Sequence, residues 1–196
     1  MSFKEPDTRK ARKTIEKGGL VVYPTETAYG IAADALNKEA VENVYEAKNR
    51  PRNKGLTVIV KNIEQADRYA NISEDERKIV ESFMPGPLTL IVEKKENVPD
   101  NLNDKFVFRI SSSKIARKLA ENGPITATSA NISGEDTSYS VEDISEDLLD
   151  KVDYVLDAGL LEEGPTSTIV EIIDSEVTVH REGPIKKKEI EKVLQG

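Results

Sequence analysis

The groups able to do chemistry in this 196-residue chain are few in kind. There is no cysteine and a single histidine, His180. Disulfides, thiolate metal sites and a cysteine nucleophile are therefore excluded. A serine–histidine triad would have to use that one imidazole. What remains is hydroxyls, carboxylates and cations, and these gather in short runs. Lys48, Arg50, Arg52 and Lys54 place four cations within seven residues around Pro51. Guanidinium forks match phosphate oxygens, and lysine adds a point charge. Read alone, the same run is equally a solvated helix C-terminus, where the dipole favours cations. Thr25, Glu26 and Thr27 follow Tyr23-Pro24 and precede Tyr29-Gly30, as a ligand loop at a strand end or as a polar turn would. Thr126, Thr128, Ser129, Asn131 and Ser133 supply small donors before Gly134, again either for a ligand or for a self-satisfied turn. Pro165-Thr166-Ser167-Thr168 opens a later strand, and Arg181 closes another.

The formal net charge of -8 repels polyphosphate backbones over most of the surface, so broad nucleic-acid binding is disfavoured and an anionic ligand needs a local basic patch. The charged fraction of 33% is high, but apolar runs recur along the chain and argue for a folded core. No apolar stretch approaches the roughly 18 residues of a membrane span. Met1 to Pro6 lacks the apolar core of a signal peptide, which predicts a cytoplasmic protein.

The elements that must position these groups alternate. Apolar, β-branched runs predict strands at Leu20–Tyr23, Leu56–Val60, Leu88–Val92, Phe106–Ile110, Val152–Leu156, Thr168–Ile173 and Val177–His180. Helical spacing joins Ala40, Val41, Val44 and Tyr45 after an Asn37 cap, and Ile79, Val80 and Phe83 after a Ser73/Glu76 capping box. Ile115, Ala116, Leu119 and Ala120 form a third apolar face, stopped at Asn122-Gly123. Further helices are predicted over 141–151 and 186–194. The Leu88 and Phe106 strands are joined by a helix-poor segment, which suggests an antiparallel pair. The Pro85-Gly86-Pro87 turn before Leu88 reads as structural. Strands alternating with helices predict one α/β domain over 1–196 with a mixed sheet.

In combination and order, the Pro-Thr-Glu-Thr-x-Tyr-Gly loop, the Lys-x-Arg-Pro run, the Pro-Gly-Pro-Leu-Thr-Leu turn, the Ser-x-Asn-x-Ser-Gly stretch, the Ser-Thr-x-Val strand and a closing Arg-x-Gly resemble the YrdC/Sua5 family of threonylcarbamoyl-AMP synthases, from about Gly18 to Pro184. The resemblance implies a twisted α/β fold with a concave, positively lined cavity. It implies synthesis of L-threonylcarbamoyl-AMP from L-threonine, bicarbonate or CO2 and ATP, with magnesium accompanying the ATP and pyrophosphate released. The product would pass to a tRNA threonylcarbamoyl transferase that modifies position 37. Thr27, Arg109 and Ser167 would bind threonine. Lys48, Arg50, Lys54, Ser129, Asn131, Thr137 and Arg181 would bind ATP, with Lys48 and Arg50 stabilising charge during reaction. No protein-held metal site is expected. Three positions depart from the family pattern: Ile59 stands where many relatives have histidine, and Ser111 and Glu182 where proline is usual. The alternatives are a module of the same fold that contacts tRNA or double-stranded RNA, and a carbamoyl-phosphate-dependent transferase.

Overall fold

The structure, a computed structural model, describes residues 7–195. The hexapeptide 1–6, read for a leader, lies outside the described residues. The chain runs α1 (Thr8–Glu16), β1 (Val21–Pro24), β2 (Tyr29–Ala32), α2 (Lys38–Ala47), β3 (Thr57–Ile59), α3 (Ile63–Ala66), β4 (Ala70–Asn71), α4 (Glu74–Phe83), β5 (Leu88–Lys94), β6 (Phe106–Arg109), α5 (Lys114–Leu119), β7 (Ile125–Ser129), α6 (Glu146–Leu149), β8 (Tyr154–Val155), β9 (Thr168–Ile173), β10 (Glu176–Arg181) and α7 (Lys187–Gln195). The strands form one mixed sheet in the order β10-β9-β5-β6-β3-β7-β2-β1-β8, with β4 attached to β5. As expected, β5 and β6 are antiparallel, with Leu90 opposite Phe108. Parallel pairing joins β3 to β6, β5 to β9 and β1 to β8.

Side chains alternate across the pleat, and both faces are covered. Val22, Ile31, Val58, Leu90 and Phe108 enter the larger core with Val44, Ile79 and Ile190 from α2, α4 and α7. Val21, Tyr23, Ala32, Ile59 and Ile125 enter a smaller core with Ala11, Ile15, Ala116 and Leu119 from α1 and α5. The helix starts follow their caps: Asn37 Oδ1 accepts from Glu39 N at 3.0 Å and Ala40 N at 3.2 Å. The Ser73/Glu76 capping box is present in both directions.

Four local expectations give way. The Asp7-capped helix α1 precedes the first expected element. Tyr29–Ala32 is a strand, and Ile125–Ser129 is strand throughout where a short strand and then a loop-like run are expected. The helix expected over 141–151 shrinks to Glu146–Leu149, because Asp143 Oδ2 accepts the amides of Tyr139 at 3.2 Å and Ser140 at 2.9 Å and holds a turn there instead.

Truncating Leu90, fully buried at the sheet's centre, to alanine is expected to lower unfolding free energy by about 2–5 kcal/mol. Ser73→Ala, which removes a cap, is expected to lower it by only ~1 kcal/mol. Urea denaturation checks the ranking, and equal losses would contradict the core assignment.

Candidate active site

Where β1, β2, β3, β6 and β7 end near one another, a cavity of about 350 Å³ opens. Among the residues expected at a site, Thr27, Arg50, Arg109, Ser129, Thr137, Ser167 and Arg181 all line it. They come from six stretches of the chain, and the backbone explains how each arrives.

The turn after β1 is held by its first threonine. Thr25 Oγ1 donates to Ala28 O at 2.7 Å and accepts the amides of Thr27 at 3.1 Å and Ala28 at 3.2 Å. Thr25 thus holds the turn, and both threonines stand on the cavity wall with their hydroxyls 3.1 Å apart. Gly30 sits close by in a tight place, since a Cβ there would lie 3.1 Å from Thr128 O and 3.3 Å from the Tyr23 ring and its neighbours would have to yield slightly. On β7 the residues also divide: Thr126 is buried and its Oγ1 accepts Ala33 N at 2.9 Å, whereas Thr128 and Ser129 face the cavity.

The basic run supplies one guanidinium rather than four cations. Arg50 Nε donates to Lys54 O at 2.8 Å and Nη2 to Gly55 O at 2.7 Å, which fixes the turn and aims the half-buried guanidinium along the wall. Arg52 pairs with Glu42 and lies 4.6 Å over the Tyr45 ring, away from the cavity. Lys54 is exposed and does not line it. Lys48, expected to face phosphate, is 1% exposed. Its Nζ donates to Ser129 O and, at 2.6 Å, to Asn131 O. An amine at the end of α2 has those carbonyls within reach, so it ties the helix to the end of β7 instead of entering the cavity. Burial, with a smaller repulsion from Arg50, lowers its pKa from 10.5 to about 7. Asn131 also lies behind the wall: Nδ2 donates to Ile132 O at 3.0 Å and Glu135 O at 2.7 Å, and Oδ1 is buried without a partner.

On the opposite side, Arg109 ends β6, is 7% exposed, and its Nη1 donates to Glu26 Oε1. Ser111 Oγ donates to the other oxygen, Oε2, at 2.5 Å. The departure at Ser111 therefore places a hydroxyl against the carboxylate that neutralises Arg109. Thr89 and Ser167 share a hydroxyl hydrogen bond of 2.8 Å, and Arg181 Nε and Nη2 donate to Ser167 O at 2.9 Å and Ser167 Oγ at 3.0 Å. Burial, then the nearby charge of Arg109, pushes the Arg181 pKa down. Glu182 pairs with Lys186 at 3.0 Å, so its charge is engaged away from Arg181. Ile59, the third departure, is fully buried in the smaller core and does not line the cavity. The Pro-Gly-Pro turn links these parts: Gly86 N donates to Ile110 O at 3.0 Å and Thr168 N to Pro87 O at 2.9 Å, bringing Arg109 and Ser167 together. Gly183 allows the closure, because a Cβ there would come within 2.5 Å of Thr166 O.

Sequence reasoning assigned no site role to Glu26, Tyr23 or Tyr139. Glu26 was visible as a carboxylate in the loop, but its partner Arg109 is 83 positions away. Tyr139 and Gly164, both on the wall, come from irregular segments with no pattern to mark them. The wall as a whole is guanidinium and hydroxyl. Such a donor set fits phosphate and carboxylate oxygens rather than a metal, and no group of three metal-ligating side chains occurs among the described residues. Nor is any helix among them long and apolar enough to cross a membrane.

The profile of the Sua5/YciO/YrdC family, described as "Telomere recombination", matches residues 13–183. A protein of Methanocaldococcus jannaschii named putative threonylcarbamoyl-AMP synthase is 41% identical over 179 residues, covering 90% of this chain and 86% of its own. The threonylcarbamoyl-AMP synthase of Pyrococcus abyssi is 37% identical over 95% of this chain, which spans only 56% of that relative's length. The crystal structure of P. abyssi Sua5 complexed with L-threonine superposes with a TM-score of 0.88 at 37% identity, over 95% of this chain and 56% of that one.

The buried amine of Lys48 carries a pH signature. Its folded pKa, about 7, lies below the unfolded value of 10.5, so between those values the unfolded chain holds the extra proton. Stability contributed at this position therefore rises with pH from about 7 towards 10.5 and is least below 7. Relative to Lys48→Met, the wild type is expected to gain stability between pH 6.5 and 9 in paired urea titrations. A flat difference would show the amine to be solvated, and a falling one would show its charged form to be favoured by the fold.

Proposed function

Because the chain belongs to the Sua5/YciO/YrdC family and its scattered motifs converge on one cavity, we propose that it makes L-threonylcarbamoyl-AMP from L-threonine, bicarbonate or CO2 and ATP. The observation carrying this reading is the meeting of Arg50, Arg109 and Arg181 around a single hollow lined with hydroxyls. Two substrates bearing a triphosphate and a carboxylate need separated cations within one site. An acidic protein can offer them only locally.

In this reading Arg109 takes the threonine carboxylate as a two-pronged partner, with Thr27 and Ser167 beside it. Arg50 and Arg181 face the nucleotide, and Ser129 and Thr137 donate to it. Lys48 acts by holding the backbone that bears Ser129 and Asn131. Magnesium arrives on the phosphate oxygens as part of the nucleotide substrate. The threonine amine adds to CO2 and gives up one proton to water, leaving a carbamate. A carbamate oxygen then attacks the α-phosphorus, and its bond forms as the bond to pyrophosphate breaks. Neither step calls for a protein nucleophile. The protein's contribution is to hold both reactants in line and to neutralise charge that builds on the leaving pyrophosphate. The mixed anhydride so formed is an activated acyl donor, suited to a transferase that modifies a tRNA adenosine. We place the whole chain, as one domain, in the cytosol where those reactants occur.

An RNA-binding platform is not favoured. Of the four clustered cations only Arg50 lines the cavity, and Arg52 is already paired and stacked.

Threonine- and bicarbonate-dependent pyrophosphate release from ATP tests the proposal, with carbamoyl phosphate as the competing substrate; turnover of the latter alone would assign a different transferase. Arg50→Ala is expected to abolish release while leaving the circular dichroism spectrum unchanged. Arg109→Ala is expected to raise the threonine KM by at least ~10-fold while barely moving the ATP KM, in line with losing a charge-assisted pair. Equal effects on both constants would contradict the assignment.

A further inference from the structure

Tyr23 is fully buried in the smaller core, its ring borders the cavity, and its hydroxyl has no hydrogen-bond partner. The fold's other fully buried or nearly buried tyrosines differ. The Tyr29 hydroxyl meets Gly159 O at 2.8 Å and accepts Ala158 N at 2.8 Å, and Tyr45 donates to Leu102 O at 3.3 Å. An unpaired buried hydroxyl weakens a folded state relative to phenylalanine at the same place. Tyr23 borders the same cavity as Arg109, whose partner Glu26 follows Tyr23 closely in the chain, and burial keeps the Tyr23 hydroxyl a neutral donor.

The Glu26 carboxylate is held by other donors. Glu26 Oε2 takes the Ser111 hydroxyl, and Oε1 takes Arg109. Any carboxylate ligand that binds Arg109 competes with Glu26 for the same guanidinium. Once it succeeds, Oε1 is left as a charged oxygen in a largely enclosed place, which is unfavourable without a new donor.

We propose that Tyr23 is a positioning residue that receives the Glu26 carboxylate when an amino-acid carboxylate displaces it from Arg109. Glu26 then has two arrangements, on Arg109 in the empty protein and on the Tyr23 hydroxyl in the filled one, with Ser111 as the common pivot. The inference rests on the assignment of Arg109 to the substrate carboxylate.

Tyr23→Phe removes the receiving hydroxyl and nothing else. The thermal midpoint is expected to stay level or rise. The threonine KM, and the dissociation constant measured by calorimetry, are expected to rise ~10-fold, equivalent to about 1.4 kcal/mol, with the ATP KM unchanged. In the Glu26→Gln background no charged oxygen is released, so Tyr23→Phe is expected to be silent there. An unchanged threonine KM overturns the proposal, as does a lowered thermal midpoint or a loss that persists undiminished in the Glu26→Gln background. A wild-type protein that binds no threonine overturns the functional reading and this inference together, whereas normal wild-type binding with a silent Tyr23→Phe overturns the inference alone.

Discussion

Three guanidinium groups facing one small hollow repel one another, and the site exists because the surrounding backbone holds them regardless. Arg50 is fixed through carbonyls of its own turn, Arg181 through both the backbone and hydroxyl oxygens of Ser167, and Arg109 through Glu26. Only the last anchor is a charge. Acceptors of the first kind hold a guanidinium in place without cancelling its field, which leaves that field available to an anion. The exception at Arg109 differs from the equally enclosed Lys48: the amine sits on carbonyls with its pKa lowered, whereas a guanidinium keeps its charge and here has a carboxylate as partner.

The sheet is arranged to make those anchors meet. Arg109 is carried by β6 and Ser167 immediately precedes β9, and these two strands are separated only by β5. The turn before β5 touches both neighbours, so three strands are set in register by one rigid connection. On the far side, β7 lies between β3 and β2, and the buried Lys48 amine fastens its end to α2. Each wall is therefore a strand end clamped by a neighbouring turn or helix. Arg50 is the exception, since its anchors Lys54 O and Gly55 O belong to an exposed turn.

What the residues disclosed beforehand follows a physical division. Strand and helix positions were legible where periodicity is long and caps are explicit, as in α2, α4 and the β5–β6 pair. They were missed where an apolar run is short and holds a glycine, as in Tyr29–Ala32, or where short polar residues resemble a loop, as in the later part of Ile125–Ser129; both are strands because neighbours pair with them. Arg50, Arg109, Thr27 and Ser167 were identifiable through ordered motifs. The burial of Lys48 was not, since a lysine in a basic run reads as solvated until the carbonyls 81 and 83 positions away are brought to it. Glu26 and Ser111 similarly acquire meaning only as a pair spanning 85 positions.

The walls also enter the chain in a definite order. Tyr23 and Thr27 come early, Arg50 and Arg109 follow, and Arg181, at the end of β10, is the last residue to reach the cavity. The hairpin that carries it docks through β9 onto β5. Without β10 the hollow would keep Arg50 and Arg109 but lose Arg181, and the larger core would lose Val177, so one hairpin closes the cavity and the core together.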